Sequence, residues 1–188
     1  MKTLLTLLAL FISSLTFAQK LVVTPFGLRS ESDNEKTYVV LSIENRKAAE
    51  LYTNALKYIN KNYKNPEKVI IGKVENESLK FQTFVGSFMV VKNSIVKIPI
   101  DAEYSVLLDF KDNKVKFEIQ GLDMYYSADG SKTRVFFEGA GIGGYYIYNK
   151  KGELKRDETK TDIESYFNNK ILEIVEFLSG KTNEKADF

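Results

Sequence analysis

Carboxylates are the residues of this chain whose type and spacing are best suited to chemistry. The sequence contains no His and no Cys, which excludes Ser-His and Cys-His nucleophile pairs, thiolate chemistry and Cys/His zinc sites. General acid and base catalysis would therefore depend on Asp, Glu, Lys or Tyr with shifted pKa values. Three carboxylate pairs lie close together in the sequence: Asp101 and Glu103, Asp109 and Asp112, and Asp123 and Asp129.

A hydrolase would need two such carboxyl groups at a fixed separation across a cleft. Asp123 and Glu138, which lie near the aromatic part of the chain, are the pair that would serve a carboxylate-dependent hydrolase. Solvated charges on strands and turns are far commoner than catalytic pairs. We therefore assign no catalytic residue, and we regard the chain as more consistent with a non-enzyme.

No cofactor and no metal are predicted. Gly139, Gly141 and Gly144 satisfy the G-x-G-x-x-G spacing, but the phosphate-binding form of this motif requires a helix after it. Here Tyr145–Tyr148 follows, which favours a strand, so the glycines are expected to connect strands. The chain also lacks the Asp, Gly and Glu spacing of a calcium-binding loop.

Aromatic side chains are concentrated between Tyr125 and Tyr148, with Asp129-Gly130 as a turn signal between them. We predict an added aromatic hairpin here. Its rings either extend a sheet beneath a helix or line a groove for a sugar, a peptide or an apolar ligand. The candidate ligand-binding residues are Tyr125, Tyr126, Phe136, Tyr145, Tyr146 and Tyr148.

The first eighteen residues have the pattern of a secretory signal peptide. Met1-Lys2 is a short positive start, Leu4–Leu15 is largely apolar, and Thr16-Phe17-Ala18 ends in a small residue. The apolar run is shorter than the about 20 residues that span a membrane. We predict cleavage after Ala18 and a protein that is periplasmic or extracellular, and not integral to the membrane after cleavage.

The charge balance excludes some partners. The chain has 27 Lys and Arg against 25 Asp and Glu, and cleavage after Ala18 would remove only Lys2. A nucleic-acid or anionic-membrane surface needs a clustered basic excess, so neither partner is expected. With no Cys, an exported domain must be stabilised by its core alone, which is feasible in the 170 residues that cleavage would leave of 188.

Periodicity predicts one α+β domain over residues 19–180, followed by a flexible tail over 181–188. Leu21–Phe26 is expected at a sheet edge, Arg29–Lys36 as a loop and Thr37–Ile43 as a strand. An amphipathic helix over 46–63 has Asn45 as its N-cap, and a second helix over 162–179 has a Thr161/Glu164 capping box and Gly180 at its end. Four alternating strands lie between them: 68–74, 79–91, 100–110 and 114–122.

The order strand, helix, four strands, helix places both helices on one face of a curved antiparallel sheet. Ala48–Ile59, followed by Val69-Ile70-Ile71-Gly72, resembles a family of uncharacterised secreted bacterial domains of unknown function. The resemblance covers about residues 36–122. It implies a TBP-like fold and a cell-envelope setting, with no established activity and no functional residues to transfer. Fold alone does not define function.

These observations favour an exported, non-catalytic binding or structural module of the cell envelope, with an unknown small ligand or an envelope protein as its partner. Two alternatives remain open. One is the carboxylate-dependent hydrolase described above. The other is an apolar-ligand carrier, with a pocket between the sheet and the C-terminal helix lined by residues such as Phe117, Ile119, Phe167 and Ile171.

Overall fold

The computed structural model of the chain describes residues 19–93, 96–128, 131–140 and 145–180. The predicted signal peptide (1–18) and tail (181–188) lie outside the described residues, as do Asp129-Gly130, Gly141 and Gly144. The strands in the described residues are β1 (Leu21–Thr24), β2 (Gly27–Ser30), β3 (Tyr38–Ser42), β4 (Ile70–Val74), β5 (Ser78–Asn93), β6 (Val96–Lys111), β7 (Lys114–Ala128), β8 (Ser131–Gly139) and β9 (Tyr145–Asn149). The helices are α1 (Ala48–Asn62), the single turn α2 (Pro66–Val69) and α3 (Asp157–Leu178).

One large sheet organises the fold. Its strands lie in the order β4-β5-β6-β7-β8-β9, and β3 also pairs with β7. The long strand β7 has two partners on the side away from β6: β3 pairs with its first residues and β8 with its last. Every pair is antiparallel except β8 and β9. The predicted α+β class with a mainly antiparallel sheet is confirmed.

The aromatic segment forms two strands of this sheet, and one of them runs in an unexpected direction. β7 continues to Ala128, beyond its predicted end at Leu122, and pairs with β8 as a hairpin. β9 then lies parallel to β8, with Phe136 beside Tyr146, so the added segment is more than the predicted hairpin. Turn residues indicate where a strand ends, but they do not determine on which side the next strand joins the sheet.

The two long helices pack against each other and against one face of the sheet, as predicted. Leu51, Ala55 and Ile59 form the buried stripe of α1, and Ile163, Phe167 and Ile171 that of α3. Aromatic contacts join the layers: the Tyr52 and Phe110 rings lie 5.7 Å apart edge to face, and those of Tyr104 and Phe167 lie 5.2 Å apart. Such pairs contribute about 0.5–1.5 kcal/mol each beyond their buried area.

The N-terminus of α1 is capped from a distant part of the chain, and the predicted Asn45 cap is wrong. The N-cap position is Lys47, whose own side chain makes no capping bond, while Asn45 has a left-handed backbone with φ of 59°. The Asp112 carboxylate in the β6–β7 turn accepts the Ala48 N–H at 3.0 Å instead. A carboxylate there also interacts favourably with the helix dipole.

Of the two predicted ends of α3, only the C-terminal one agrees with the structure. The helix begins at Asp157, so Thr161 lies inside it and the predicted capping box is wrong. Glu164 instead accepts the N–H of Val23 at 2.8 Å. Gly180 follows the C-cap residue Ser179 with φ of 78°, a left-handed conformation that glycine adopts without strain.

β1 and β2 form a separate two-stranded hairpin, rather than an edge of the large sheet and a loop. β1 packs against α3, and Leu21 and Val23 belong to the core. Side chains of α3 and β9 supply the hydrogen bonds that a neighbouring strand would make, which explains why an apolar strand is stable away from the sheet. No helix among the described residues combines the length and apolar character needed to cross a membrane.

Candidate functional site

The side of the sheet opposite α1 and α3, here called the helix-free face, carries the polar side chains of the long strands. Successive side chains of a strand point to opposite faces. On β6, Tyr104, Val106 and Leu108 are buried under the helices, so Glu103, Ser105, Leu107 and Asp109 belong to the helix-free face. Lys116 and Glu118 of β7 lie on the same side, because Val115 and Phe117 between them are fully buried.

A cavity of about 360 Å³ opens on the helix-free face beside the β6–β7 hairpin. Its volume is at the lower end of the range for small-molecule sites, roughly 300–1,000 Å³. We call it the lysine pocket. It is lined by Tyr38, Val40, Asp109, Lys111, Lys114 and Lys116.

One lysine of this pocket is held in place, and two extend into solvent. The Lys116 ammonium lies 2.8 Å from the Asp109 carboxylate and 5.1 Å from the centroid of the Tyr38 ring. The hydrogen bond to Asp109 raises the pKa of Lys116, against the opposing effect of burial. Lys111 and Lys114 are exposed. The strand register places them directly opposite each other, just as it pairs Asp109 with Lys116.

Two of the predicted aromatic site residues, Tyr125 and Phe136, lie on the helix-free face. Tyr125 is only 4% exposed, and the Lys132 ammonium lies over its ring, 3.7 Å from the centroid. Its hydroxyl donates to Glu103, and this hydrogen bond raises the pKa of Tyr125. Phe136 and Tyr146 are neighbours across β8 and β9, and Phe136 is 48% exposed.

The other three predicted residues face the interior. The Tyr145 hydroxyl hydrogen-bonds Thr159 of α3 at 2.8 Å. The Tyr148 hydroxyl donates to the carbonyl of Val23 at 2.9 Å. Tyr126 is half-buried against the core. The structure therefore engages Tyr145, Tyr148 and Tyr126 in the interior of the fold and does not bring the six candidates into one groove.

Asp123 and Asp101, two of the carboxylates singled out in the sequence, bind neighbouring groups of the fold. Asp123 makes a two-pronged pair with Arg134, with N–O distances of 3.0 and 3.2 Å. Asp101 accepts the N–H of Ser87 at 2.9 Å. Glu138 is exposed on β8. Within the described ranges, no group of three or more acidic side chains is arranged to hold a metal ion.

The residues proposed for an apolar-ligand pocket lie in two environments. Phe117, Phe167 and Ile171 are buried in the core between sheet and helices, with exposures of 0 to 1%. Ile119 is half-buried and lines a smaller cavity of about 170 Å³ beside the β1–β2 hairpin, together with Phe26 and Phe137. The volume at Ile119 is about half that of the lysine pocket.

Sequence reasoning missed the lysine pocket, although a signal for it existed. Lys114 and Lys116 alternate with buried residues, and the two-residue turn at Asp112-Asn113 determines that Lys111 faces Lys114. The contribution of Tyr38 and Val40 had no such signal, because β3 is far from β7 in the sequence and joins it only in the folded chain.

Comparison with known proteins identifies the fold. No family model and no curated protein sequence matches the chain. Its structure is similar to that of a DUF4468 family protein from Bacteroides ovatus ATCC 8483, with a TM-score of 0.53 and 14% identity, covering 76% of this chain and 84% of that one. It is also similar to a TBP-like protein from Parabacteroides distasonis ATCC 8503, with a TM-score of 0.51 and 15% identity, covering 75% of this chain and 90% of that one. The expected TBP-like fold is confirmed.

Proposed function

We propose that the protein is an exported, non-catalytic module of the cell envelope that binds a small ligand on the helix-free face of its sheet. The lysine pocket is the observation that carries this proposal. The helices and the sheet face that they cover already supply the hydrophobic core. A ligand-sized cavity with an aromatic wall and several cations on the other face has no role in that core. Ligand sites are typically concave, with polar or charged groups that fix the orientation of the ligand.

Export follows from the predicted signal peptide and is tested separately. The full chain, produced in a bacterium with two membranes, is expected in the periplasm or the medium with Gln19 as its first residue. Fractionation and intact-mass measurement identify both properties. Leu8→Arg, which interrupts the apolar run, should leave an uncleaved chain in the cytoplasm. A wild-type chain that stays uncleaved in the cytoplasm would contradict export without affecting the binding proposal.

Binding on the helix-free face is tested by filling the cavity. The probes are glucose, glucuronate and the dipeptide Ala-Glu, each titrated into isotope-labelled protein. At least one should shift the amide resonances of residues 38–42 and 109–116 in a saturable way. Val40→Trp should abolish the shifts, whereas Val74→Trp, at a position 52% exposed on the edge strand β4, should not. Saturable binding that survives Val40→Trp would place the ligand elsewhere.

The non-catalytic part of the proposal has its own test. The purified chain should show no turnover of glycoside, ester and peptide substrates. If turnover at enzyme-like rates is found and is lost in Asp123→Asn, the protein is a hydrolase, because that change removes the carboxylate that Arg134 holds on the helix-free face.

A further inference from the structure

We infer that the lysine pocket binds an oxyanion, a carboxylate or phosphate group on a small ligand whose body lies against Tyr38 and Val40. This inference rests on the proposed function and adds the chemical class of the ligand. Three features of the described residues carry it: the charge balance of the pocket, the register of its two exposed lysines, and the shape of its apolar wall.

The pocket has more positive charge than its own carboxylate neutralises. Three lysines line it against one aspartate, and both nearby carboxylates are engaged by Lys116: Asp109 at 2.8 Å and Glu118, outside the lining, at 3.9 Å. Asp112, in the turn next to Lys111, is directed away to Lys47 and the Ala48 N–H. Among the residues that the structure describes, Lys111 and Lys114 form no ion pair within 4.0 Å. Two ammonium groups are thus available to a ligand.

The register makes these two cations direct neighbours. Lys111 and Lys114 are Cα partners across the hairpin, and the Cβ atoms of such pairs lie about 4.5–5.5 Å apart. Like charges directly opposite each other destabilise a sheet. The two-residue turn imposes this arrangement, and a register shifted by one residue would move the buried Val115 to the wrong face. An anion between the ammonium groups would turn the repulsion into two charge-assisted hydrogen bonds.

The remaining wall suits a small, partly apolar body. Tyr38 and Val40 are half-buried on β3 and line the cavity beside β7, where Val40 is the Cα partner of Lys116. The Lys116 ammonium lies above the Tyr38 ring and is neutralised by Asp109. Its side chain therefore forms part of the wall and adds little to the net charge of the pocket. At about 360 Å³, the pocket holds a compact ligand with one acidic group rather than enclosing a polymer.

The experiment compares ligands that differ in charge and in whether they carry a sugar body. Glucose, glucuronate, glucose 6-phosphate and inorganic phosphate are titrated into labelled protein at low ionic strength, and the amides of residues 109–116 are followed. The three anions should bind saturably and glucose at least about tenfold more weakly, with the affinity of the anions falling as salt is added. Tighter binding of glucuronate and glucose 6-phosphate than of inorganic phosphate would show that the ligand needs the apolar wall. Equal affinities would show that it needs only the charge.

Variants identify the cations. The double variant Lys111→Gln/Lys114→Gln should weaken anion binding at least about tenfold, since it removes both charge-assisted bonds. Lys68→Gln/Lys73→Gln, two exposed lysines on α2 and β4, is the matched control and should bind like the wild type. Without ligand, the first double variant should melt at a higher temperature than the wild type, because it removes the like-charge pair, and this also shows that it is folded.

The outcomes separate the two proposals. If glucose binds in the pocket as tightly as glucuronate, or if the double variant binds anions like the wild type, the inferred anion class is wrong while a ligand site on the helix-free face stands. If no probe shifts residues 38–42 or 109–116, both proposals fail. Anion binding that is abolished by Val40→Trp and by the double lysine variant supports both.

Discussion

Asn168 of α3 makes hydrogen bonds to both peptide groups of Leu21 at the edge of β1. Its side-chain oxygen accepts the Leu21 N–H at 2.9 Å, and its side-chain nitrogen donates to the Leu21 carbonyl at 3.0 Å. At Val23, the Glu164 carboxylate accepts the N–H and the Tyr148 hydroxyl donates to the carbonyl. Side chains thus provide hydrogen-bond partners for the peptide groups on the edge of β1 that β2 leaves free. Buried peptide groups require such partners.

Asn168→Ala should therefore destabilise the protein. The change leaves a donor and an acceptor of a fully buried residue without partners, which costs about 1–3 kcal/mol. Urea unfolding measures the difference. Asn169→Ala, at the exposed neighbouring position, is the control and should change the free energy of unfolding by less than about 0.5 kcal/mol. Equal stability of the two variants would mean that β1 is held by packing alone.

The sequence was sufficient for those parts of the fold that depend on local periodicity. The helix stripes and the alternation of β5, β6 and β7 predicted the elements and the layer arrangement, because burial on one face imposes periods of 3.6 and 2. The caps of α1 and α3 were not predictable, since their partners, Asp112 and Val23, come from distant segments. The direction of β9 and the β3 wall of the lysine pocket were missed for the same reason.

The pairing of Asp112 with α1 predicts a dependence of stability on pH. The hydrogen bond from Lys47, and then that from the Ala48 N–H, lower the pKa of Asp112 below its ordinary value of about 3.9. A carboxyl group whose pKa is lowered by folding adds stability above that ordinary value, and loses it as the pH falls through the folded value.

Asp112→Asn should accordingly lower the melting temperature at pH 6, where the wild-type carboxylate is charged. The difference between the two proteins should shrink below about pH 4 as the wild-type group is protonated. Thermal melts at a series of pH values measure it. A difference that stays constant down to pH 2.5 would show that the capping hydrogen bond, and not the charge, is what the carboxylate provides.

Two tyrosines between the sheet and the helices predict a second dependence on pH, at the alkaline end. Burial, together with nearby Glu173, raises the pKa of Tyr58 far above its ordinary value, and burial with the hydrogen bond to Tyr166 does so for Tyr104. Both groups ionise readily only when unfolded, at about pH 10. Because the raised values favour the neutral form in the folded state, stability should fall as the pH rises above about 10.

The tyrosinate absorbance in an alkaline titration tests this expectation. Part of the signal should appear only together with loss of the folded circular dichroism spectrum, and Tyr104→Phe should reduce that late part by one tyrosine. If all the tyrosine signal appeared before unfolding, the buried state of Tyr58 and Tyr104 would be wrong.

Gly121 changes which side of β7 faces the helices. Before it, the odd-numbered Val115 and Phe117 are buried, whereas after it the even-numbered Met124 is buried. The register with β6 shifts at this point, and Gly121 has φ of 62°. This bulge places Asp123 and Tyr125 on the helix-free face, and it is the reason that simple alternation ended the predicted strand at Leu122.

Gly121→Ala should destabilise the protein by about 1–2 kcal/mol, because a left-handed backbone is unfavourable for a residue with a Cβ atom. Space is available for that atom, since nothing else lies within 4 Å of its position, so the cost comes from the backbone alone. Gly72→Ala is the matched control: its Cβ would also fit, at 3.6 Å from Lys80, but its φ is not in the left-handed region. It should be neutral or stabilising by up to about 1 kcal/mol.

Asn at position 121 should cost less than Ala, since Asn tolerates this conformation better. Urea unfolding of the three variants gives the order of stability, and an equal effect of Ala at positions 121 and 72 would contradict a bulge at Gly121.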